Sequence, residues 1–153
     1  MKSKSPVEKI ISGGQTGADL GALLAAKELK IKTGGTAPKD YKTELGQNLL
    51  LKELGLVEST NTSYLNRTIE NIKNSSGTLV LGNTNSVGSR QTILQCRKMG
   101  RPLIVNPTKQ AFQTWLKWNN IQILNVAGNR ESVNPGIGEK VKNFLVNAIE
   151  EIS

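Results

Sequence analysis

The feature that most restricts the fold is a rhythm. Short, near-continuously apolar runs alternate with stretches of helical periodicity. Thr78 to Gly82, Pro102 to Asn106 and Ile121 to Val126 carry apolar residues on adjacent positions rather than on alternate ones. A strand that is apolar on both sides is buried on both faces, which calls for a sheet covered by helices above and below. The segments between these runs supply such helices. Ser89 caps one that runs to Met99, with Gly100 as its stop. Thr108 caps another that runs to Trp118 and carries Phe112, Trp115 and Leu116 on one face. Asn134 and Pro135 open a last helix, on which Ile137, Val141, Phe144, Leu145, Ala148 and Ile152 form one apolar stripe.

The first half follows the same rhythm less regularly. Glu8 to Ser12 reads as a strand that runs into Gly13-Gly14, and Ala18 to Leu29, rich in Ala and Leu, as a helix. A brief extended piece around Ile31 precedes turns at Gly34-Gly35 and Pro38. Residues 43–61 show no clear period beyond a helical turn at Leu49-Leu50-Leu51. Thr62 or Ser63 then caps a helix to Asn74, with Leu65, Ile69 and Ile72 as its apolar positions. Strands and helices alternating through right-handed crossovers predict an α/β fold, a Rossmann-like three-layer sandwich with a mainly parallel sheet and helices on both faces. At 153 residues the chain suits one domain, expected over residues 8–153 behind a flexible tail at 1–7.

Composition narrows the chemistry. The chain has no histidine and a single cysteine, Cys96, which removes Ser-His-Asp and Cys-His machinery, histidine zinc sites and any intramolecular disulfide. Cys96, set among helix-forming residues, reads as a small packed side chain. Lys+Arg 20 against Asp+Glu 12 gives a net charge of +8 and favours an anionic partner. Nucleic acid is not the expected one. The lysines are scattered, only two each of Phe, Tyr and Trp are available for stacking, and no nucleic-acid motif is present. No apolar run approaches the roughly 20 residues of a membrane helix, and the start lacks the apolar region of a secretory signal. A cytoplasmic protein without a membrane partner is therefore expected.

In an open parallel sheet the ligand sits at the carboxyl ends of the strands, beside helix N-termini. Three loops occupy such places. The first, Gly13-Gly14-Gln15-Thr16-Gly17-Ala18-Asp19, joins a strand to a helix, and its glycines allow close backbone approach to an anion. It is not a P-loop, because no Gly-Lys-Ser/Thr follows. It also reads simply as a tight turn with Asp19 in the first helical turn. The second runs from Gly82 to Thr92. There Gly88, Ser89, Thr92 and the amides of 89–91 suit a second oxyanion, with Arg90 as a charged partner, unless the segment is a solvated loop with Ser89 as a plain cap. The third, Asn125 to Gly136, presents Gly128, Arg130, Glu131 and Ser132. Three such loops at one sheet edge argue for a cleft that holds an anionic small molecule. Arg67 and Asn71, one turn apart on a predicted helix, are either additional cleft residues or part of a solvated face. Lys39 and Lys42 either raise the cleft's potential or are ordinary surface lysines. Trp115 and Trp118 fit a core or subunit interface better than a ligand.

The segment Ile10-Ile11-Ser12-Gly13-Gly14-Gln15-Thr16-Gly17-Ala18-Asp19 resembles the opening signature of the molybdenum cofactor carrier protein family. That family sits within a Rossmann-like superfamily that includes DprA-like and Lonely Guy proteins. Further blocks follow in order: Thr33 to Lys39, Leu54 to Glu58, Tyr64 through Arg67 and Asn71, Ser76 to Leu79, Gly88 to Thr92, Leu124 to Ser132 and Pro135 to Ile137. They span roughly residues 8–150, and the first and last are the specific ones. The resemblance implies a homo-oligomer, a tetramer, that binds molybdenum cofactor, an anionic phosphorylated pterin which brings its own metal. No protein-ligated metal is then needed. Many relatives carry Gly-Gly where this chain has Val87-Gly88, a change that narrows the second loop's approach to phosphate.

Three functions follow from these residues. The favoured one is a non-catalytic carrier of molybdenum cofactor or a similar phosphorylated ligand. A second is a nucleotide-processing enzyme akin to the Lonely Guy phosphoribohydrolases. Their catalytic glutamate is replaced here by Leu94, which leaves Glu131, the only well-placed carboxylate besides Asp19, as the candidate base. A third is a nucleotide-sensing module.

Overall fold

The computed structural model describes residues 4–60 and 63–153. Ile10 and Ile11, fully buried or nearly so, anchor strand β1 (Lys9–Ile11), which turns into helix α1 (Ala18–Glu28). Next come β2 (Lys32–Gly34), β3 (Thr36–Ala37), a 3-10 turn at Lys39–Tyr41, and a small hairpin of β4 (Lys42–Thr43) and β5 (Gly46–Gln47). A single helical turn, α2 (Leu50–Glu53), leads to β6 (Val57–Glu58). The regular alternation then sets in: α3 (Tyr64–Lys73), β7 (Gly77–Leu81), α4 (Val87–Lys98), β8 (Leu103–Val105), α5 (Lys109–Trp118), β9 (Ile123–Gly128) and α6 (Ile137–Glu151).

The main sheet has five strands in the order β2-β1-β9-β7-β8, and every pairing is parallel. Register places Ile11 between Gly34 and Asn125, and Leu79 between Ile104 and Val126. Leu79 and Leu81 join the main core with the alanine face of α1, Phe112 and Leu116 of α5, and Val141, Leu145, Ala148 and Ile149 of α6. On the opposite side Thr78 meets Cys96 of α4, and α3 packs against α4. Helices therefore cover both faces, as the double-sided apolarity of β7 requires, since all five of its residues are buried. The fold is the Rossmann-like α/β sandwich expected.

Strand order carries more information than fold class. Counted from β9 as strand one, then β1, β2, β7 and β8, the sheet reads 3-2-1-4-5, the core of the doubly wound order. The strand that opens such a sheet elsewhere is the last of the five here. The two ends of the domain meet accordingly, because the Ser5 amide donates to the Ile152 carbonyl at 2.7 Å.

Several boundaries differ from the sequence expectation. The expected tail over 1–7 is already packed at Val7, which is buried in the main core, while residues 1–3 lie outside the described residues. The extended piece after Ile31 is the edge strand β2. Ser63 is the cap of α3, accepting from the Asn66 amide, whereas Thr62 lies outside the described residues. The cap of α4 is Ser86, not Ser89. Its hydroxyl accepts from the Ser89 amide at 3.3 Å, which puts Ser89 inside the first turn. Thr108 caps α5 as expected, accepting from Ala111. Helix α6 begins at Ile137 behind Gly136 in a left-handed conformation. Trp115 packs on the core, and Trp118 stands 87% exposed. Among the described residues no helix is long and apolar enough to cross a membrane.

Candidate functional site: a cavity at the permuted switch point

The carboxyl ends of β1, β9 and β7 are adjacent, and the loops that leave them enclose a cavity of about 540 Å³. That volume lies within the range of small-molecule sites. The β1 loop contributes Gly13, Gln15 and Asp19, the β9 loop Gly128, Asn129 and Arg130, and the β7 loop with the start of α4 contributes Asn85 through Gly88 and Thr92. The fourth wall is α3, through Tyr64, Arg67, Thr68 and Asn71. These four positions repeat at i, i+3, i+4 and i+7, so they form one helix face. Leu65, expected to be buried, is 38% exposed, and the inward face of α3 is this polar one.

The glycine loop does not work as its composition suggested. Four of its amides already have partners within the protein. Gly14 donates to Ser12 Oγ, Gln15 to Asp19 Oδ2, Thr16 to the Gln15 side-chain oxygen, and Ala18 to the Asn129 carbonyl. Gly17 is the hinge of this arrangement. At φ 80° it lies so close to the β9 loop that a Cβ would strike the Asn129 carbonyl oxygen. The third loop is similarly occupied. The Glu131 amide donates to Thr16 Oγ1, and those of Val133 and Asn134 donate to the Arg130 carbonyl.

Open amides remain at the second loop, beside those of Gly13 and Asp19 in the first and Arg130 in the third, which also have no partner among the described residues. A helix start leaves its first N–H groups without an intrahelical acceptor. In α4 the Ser86 hydroxyl satisfies only that of Ser89, so the Val87 and Gly88 amides have no partner among the described residues. They lie on the cavity wall and carry the positive end of the helix dipole. Gly88 is required for a steric reason too, since a Cβ there would lie 2.6 Å from the Tyr64 hydroxyl. Val87 is 76% exposed at the rim.

Two guanidinium groups complete the positive wall. Arg130 faces the cavity and makes no side-chain hydrogen bond or ion pair among the described residues. Arg67 lies over the Tyr64 ring, 5.6 Å from its centroid, a cation–π arrangement that orients it. Burial lowers its pKa below the usual arginine range. Opposite them stands one carboxyl, that of Asp19. Its pKa is raised from 3.8 to about 7, chiefly because burial strips it of water, while the Gln15 amide, Arg130 and Arg67 pull it down less strongly. Burial, and next the Asp19 charge, also raises the pKa of Tyr64.

The remaining expected site residues take other places. Glu131 bonds the amides of Gly136 (2.5 Å) and Gly138 (3.1 Å) and so closes the entry to α6 rather than facing the cavity. Thr16 and Ser132 both donate to the carboxylate of Glu44, which sits at the turn of the β4–β5 hairpin. Those bonds, Ser132 first, hold the Glu44 pKa below the usual carboxylate range. Glu44 thus ties the first and third loops together, a role with no signal in the sequence. Gly14 backs onto Leu51 and Leu56, Ser89 is buried inside α4, and Arg90 is exposed beyond the cavity lining, as are Lys39 and Lys42.

Fold and cavity together define a Rossmann-like domain with a cavity of small-molecule size, whose central strand comes last in the chain. The chain belongs to the circularly permutated YpsA SLOG family, whose model matches residues 10–149. The permuted strand order and the paired ends are what that description requires. Among solved structures the chain resembles a protein from Syntrophus aciditrophicus SB named a putative molybdenum carrier protein, at 31% identity and a TM-score of 0.85. The likeness covers 96% of this chain and 97% of that one. No curated protein matches.

Proposed function

We propose that the chain binds and carries an anionic, phosphorylated cofactor of the pterin class, molybdenum cofactor being the leading candidate, without transforming it. The observation that carries the proposal is the cavity itself. Two guanidinium groups and the open N-terminus of α4 converge at the carboxyl ends of three adjacent strands. Arginine gives charge-assisted, bidentate contacts to phosphate, and the helix start adds backbone donors. The metal would travel as cargo, held by the cofactor's own sulfur and oxygen atoms. The name of the structural relative from Syntrophus aciditrophicus SB points the same way. Homo-oligomeric assembly belongs to the same proposal, with light scattering as its check.

Glu131 does not favour the hydrolase alternative, because its carboxylate is engaged by two backbone amides at the start of α6. The test is calorimetric titration with molybdenum cofactor, and separately with molybdate and tungstate. Saturable binding of the cofactor at micromolar concentration is expected. Arg130→Ala should weaken it by about 10- to 100-fold, the value of one charge-assisted contact. Absence of saturable binding by any of the three overturns the proposal.

A further inference from the structure

The cavity contains a group that an anion site alone would not tolerate. Asp19 faces the same space as Arg67, Arg130 and the start of α4. A carboxylate beside a bound phosphate is repelled by it, and the repulsion is strong where water is scarce. Such a residue suits a ligand with two ends, an anionic one for the arginines and a hydrogen-bond-donating one for the carboxylate.

Two of the other polar side chains on the wall are committed to the protein itself. Both side-chain atoms of Asn71 are bonded to the backbone of Thr36. Asn129 accepts from the Asn83 amide and the Asn134 side chain, and donates to the Asn83 carbonyl and the Ser86 hydroxyl. Asp19 accepts the Gln15 amide on Oδ2, and its Oδ1 has no partner among the described residues. Asn125, only 3% exposed, donates to Thr78 and likewise leaves its Oδ1 without one. Among the described residues lining the cavity, Asp19 is the only carboxyl, and it has an open acceptor.

We propose that Asp19 reads the donor edge of the ligand's ring, accepting from the ring N–H and the amino group of a 2-amino-4-oxopyrimidine system, the edge common to pterins and guanine. This rests on the carrier reading and narrows it, because the ligand class becomes a phosphorylated, fused 2-amino-4-oxopyrimidine. Pro38, Tyr64, Val87 and Val133 supply apolar surface for the ring faces. Binding of two N–H donors favours the ionised carboxylate, so a group with a pKa near 7 gives up its proton as the ligand enters.

The experiment compares guanosine monophosphate with inosine monophosphate, which lacks only the 2-amino group, together with neopterin phosphate and inorganic phosphate. Guanosine monophosphate should bind at least about 10-fold more tightly than inosine monophosphate, the value of one lost hydrogen bond to a charged acceptor. Asp19→Asn retains an oxygen for the Gln15 amide and should abolish that preference, while inorganic phosphate, freed of the repelling charge, binds at least as tightly as before. Whichever of neopterin phosphate and guanosine monophosphate binds more tightly identifies the natural source. A fold-independent check uses the unaltered protein. Titration at pH 6.5 in buffers of different ionisation enthalpy should show more proton release with guanosine than with inosine monophosphate, since the contributions of their like phosphates cancel. Equal affinity for the two nucleotides overturns the ring assignment, as does equal proton release. If phosphate or molybdenum cofactor still binds under those conditions, the carrier reading survives. If nothing anionic binds, both fail.

Discussion

Asp19→Asn also makes a prediction about stability that involves no ligand. In the folded protein the carboxyl holds its proton up to about pH 7, whereas in the unfolded chain it loses it near 3.8. Between those values the folded state binds more protons than the unfolded one, so raising the pH costs stability through this group. At about 1.4 kcal/mol per unit the full shift corresponds to about 4 kcal/mol, lost progressively from about pH 4 to pH 7 and constant above. An asparagine does not titrate. Its stability relative to the unaltered protein should therefore rise by that amount across the window, whatever the offset between the two proteins at pH 4. Urea denaturation followed by far-ultraviolet circular dichroism at pH 4.5, 6, 7 and 8.5 measures this, because contributions common to both proteins cancel in the difference. A difference independent of pH would refute the reasoning, since it would mean that the carboxyl ionises in the fold as freely as in water. Retention of a residue that weakens the fold at neutral pH is the expected signature of a group kept for function.

Gly88→Ala should destabilise the protein by about 1–3 kcal/mol through the contact of its Cβ with the Tyr64 hydroxyl, despite the better helix propensity of alanine. In a Tyr64→Phe background, which removes that oxygen, the same change should become neutral or favourable, and thermal melts of the four proteins decide it. Glu44→Gln should loosen the junction of the first and third loops, because Thr16 and Ser132 lose a charged acceptor. Faster hydrogen exchange at Glu131 and Ser132 is expected, with the amides of β7 unaffected; unchanged exchange at those loop amides would count against the tie.

The central sheet was legible because its strands are buried on both faces. Leu79-Val80-Leu81 and Leu103-Ile104-Val105 need no alternation to be recognised. Edge strand β2 carries Lys32, Thr33 and Gly34, and polar side chains at a sheet edge give no hydrophobic signal. The hairpin bearing Glu44 was not visible either, since its two-residue strands exist through main-chain pairing and its carboxylate acts on residues distant in sequence. The place of the cleft was readable from strand-to-helix loops, but the owner of each amide was not. Gln15 and Asp19 lie in the same glycine-rich segment that suggested an anion cradle, and their side chains take up the donors such a cradle would use. Ser86 and Ser89 are three residues apart and either can cap a helix. The choice fell on Ser86 because α4 starts at Val87, and that start places the open amides on the cavity. The face of α3 was readable in principle from the spacing of Tyr64, Arg67, Thr68 and Asn71.

Strand β9 separates β1 from β7, and no other strand joins the two halves of the sheet. On the ribosome, everything through α5 emerges before β9, so β1 and β7 lack the strand that lies between them in the finished sheet. Exposed parallel edges invite pairing with other chains, so the nascent molecule passes through an interval in which it is prone to stick. Only the late arrival of residues 123–128 zips the halves together, and the same event delivers Arg130 to its place. Completion of the cavity is thereby confined to finished molecules, and a chain cut before β9 would lack both its seam and Arg130.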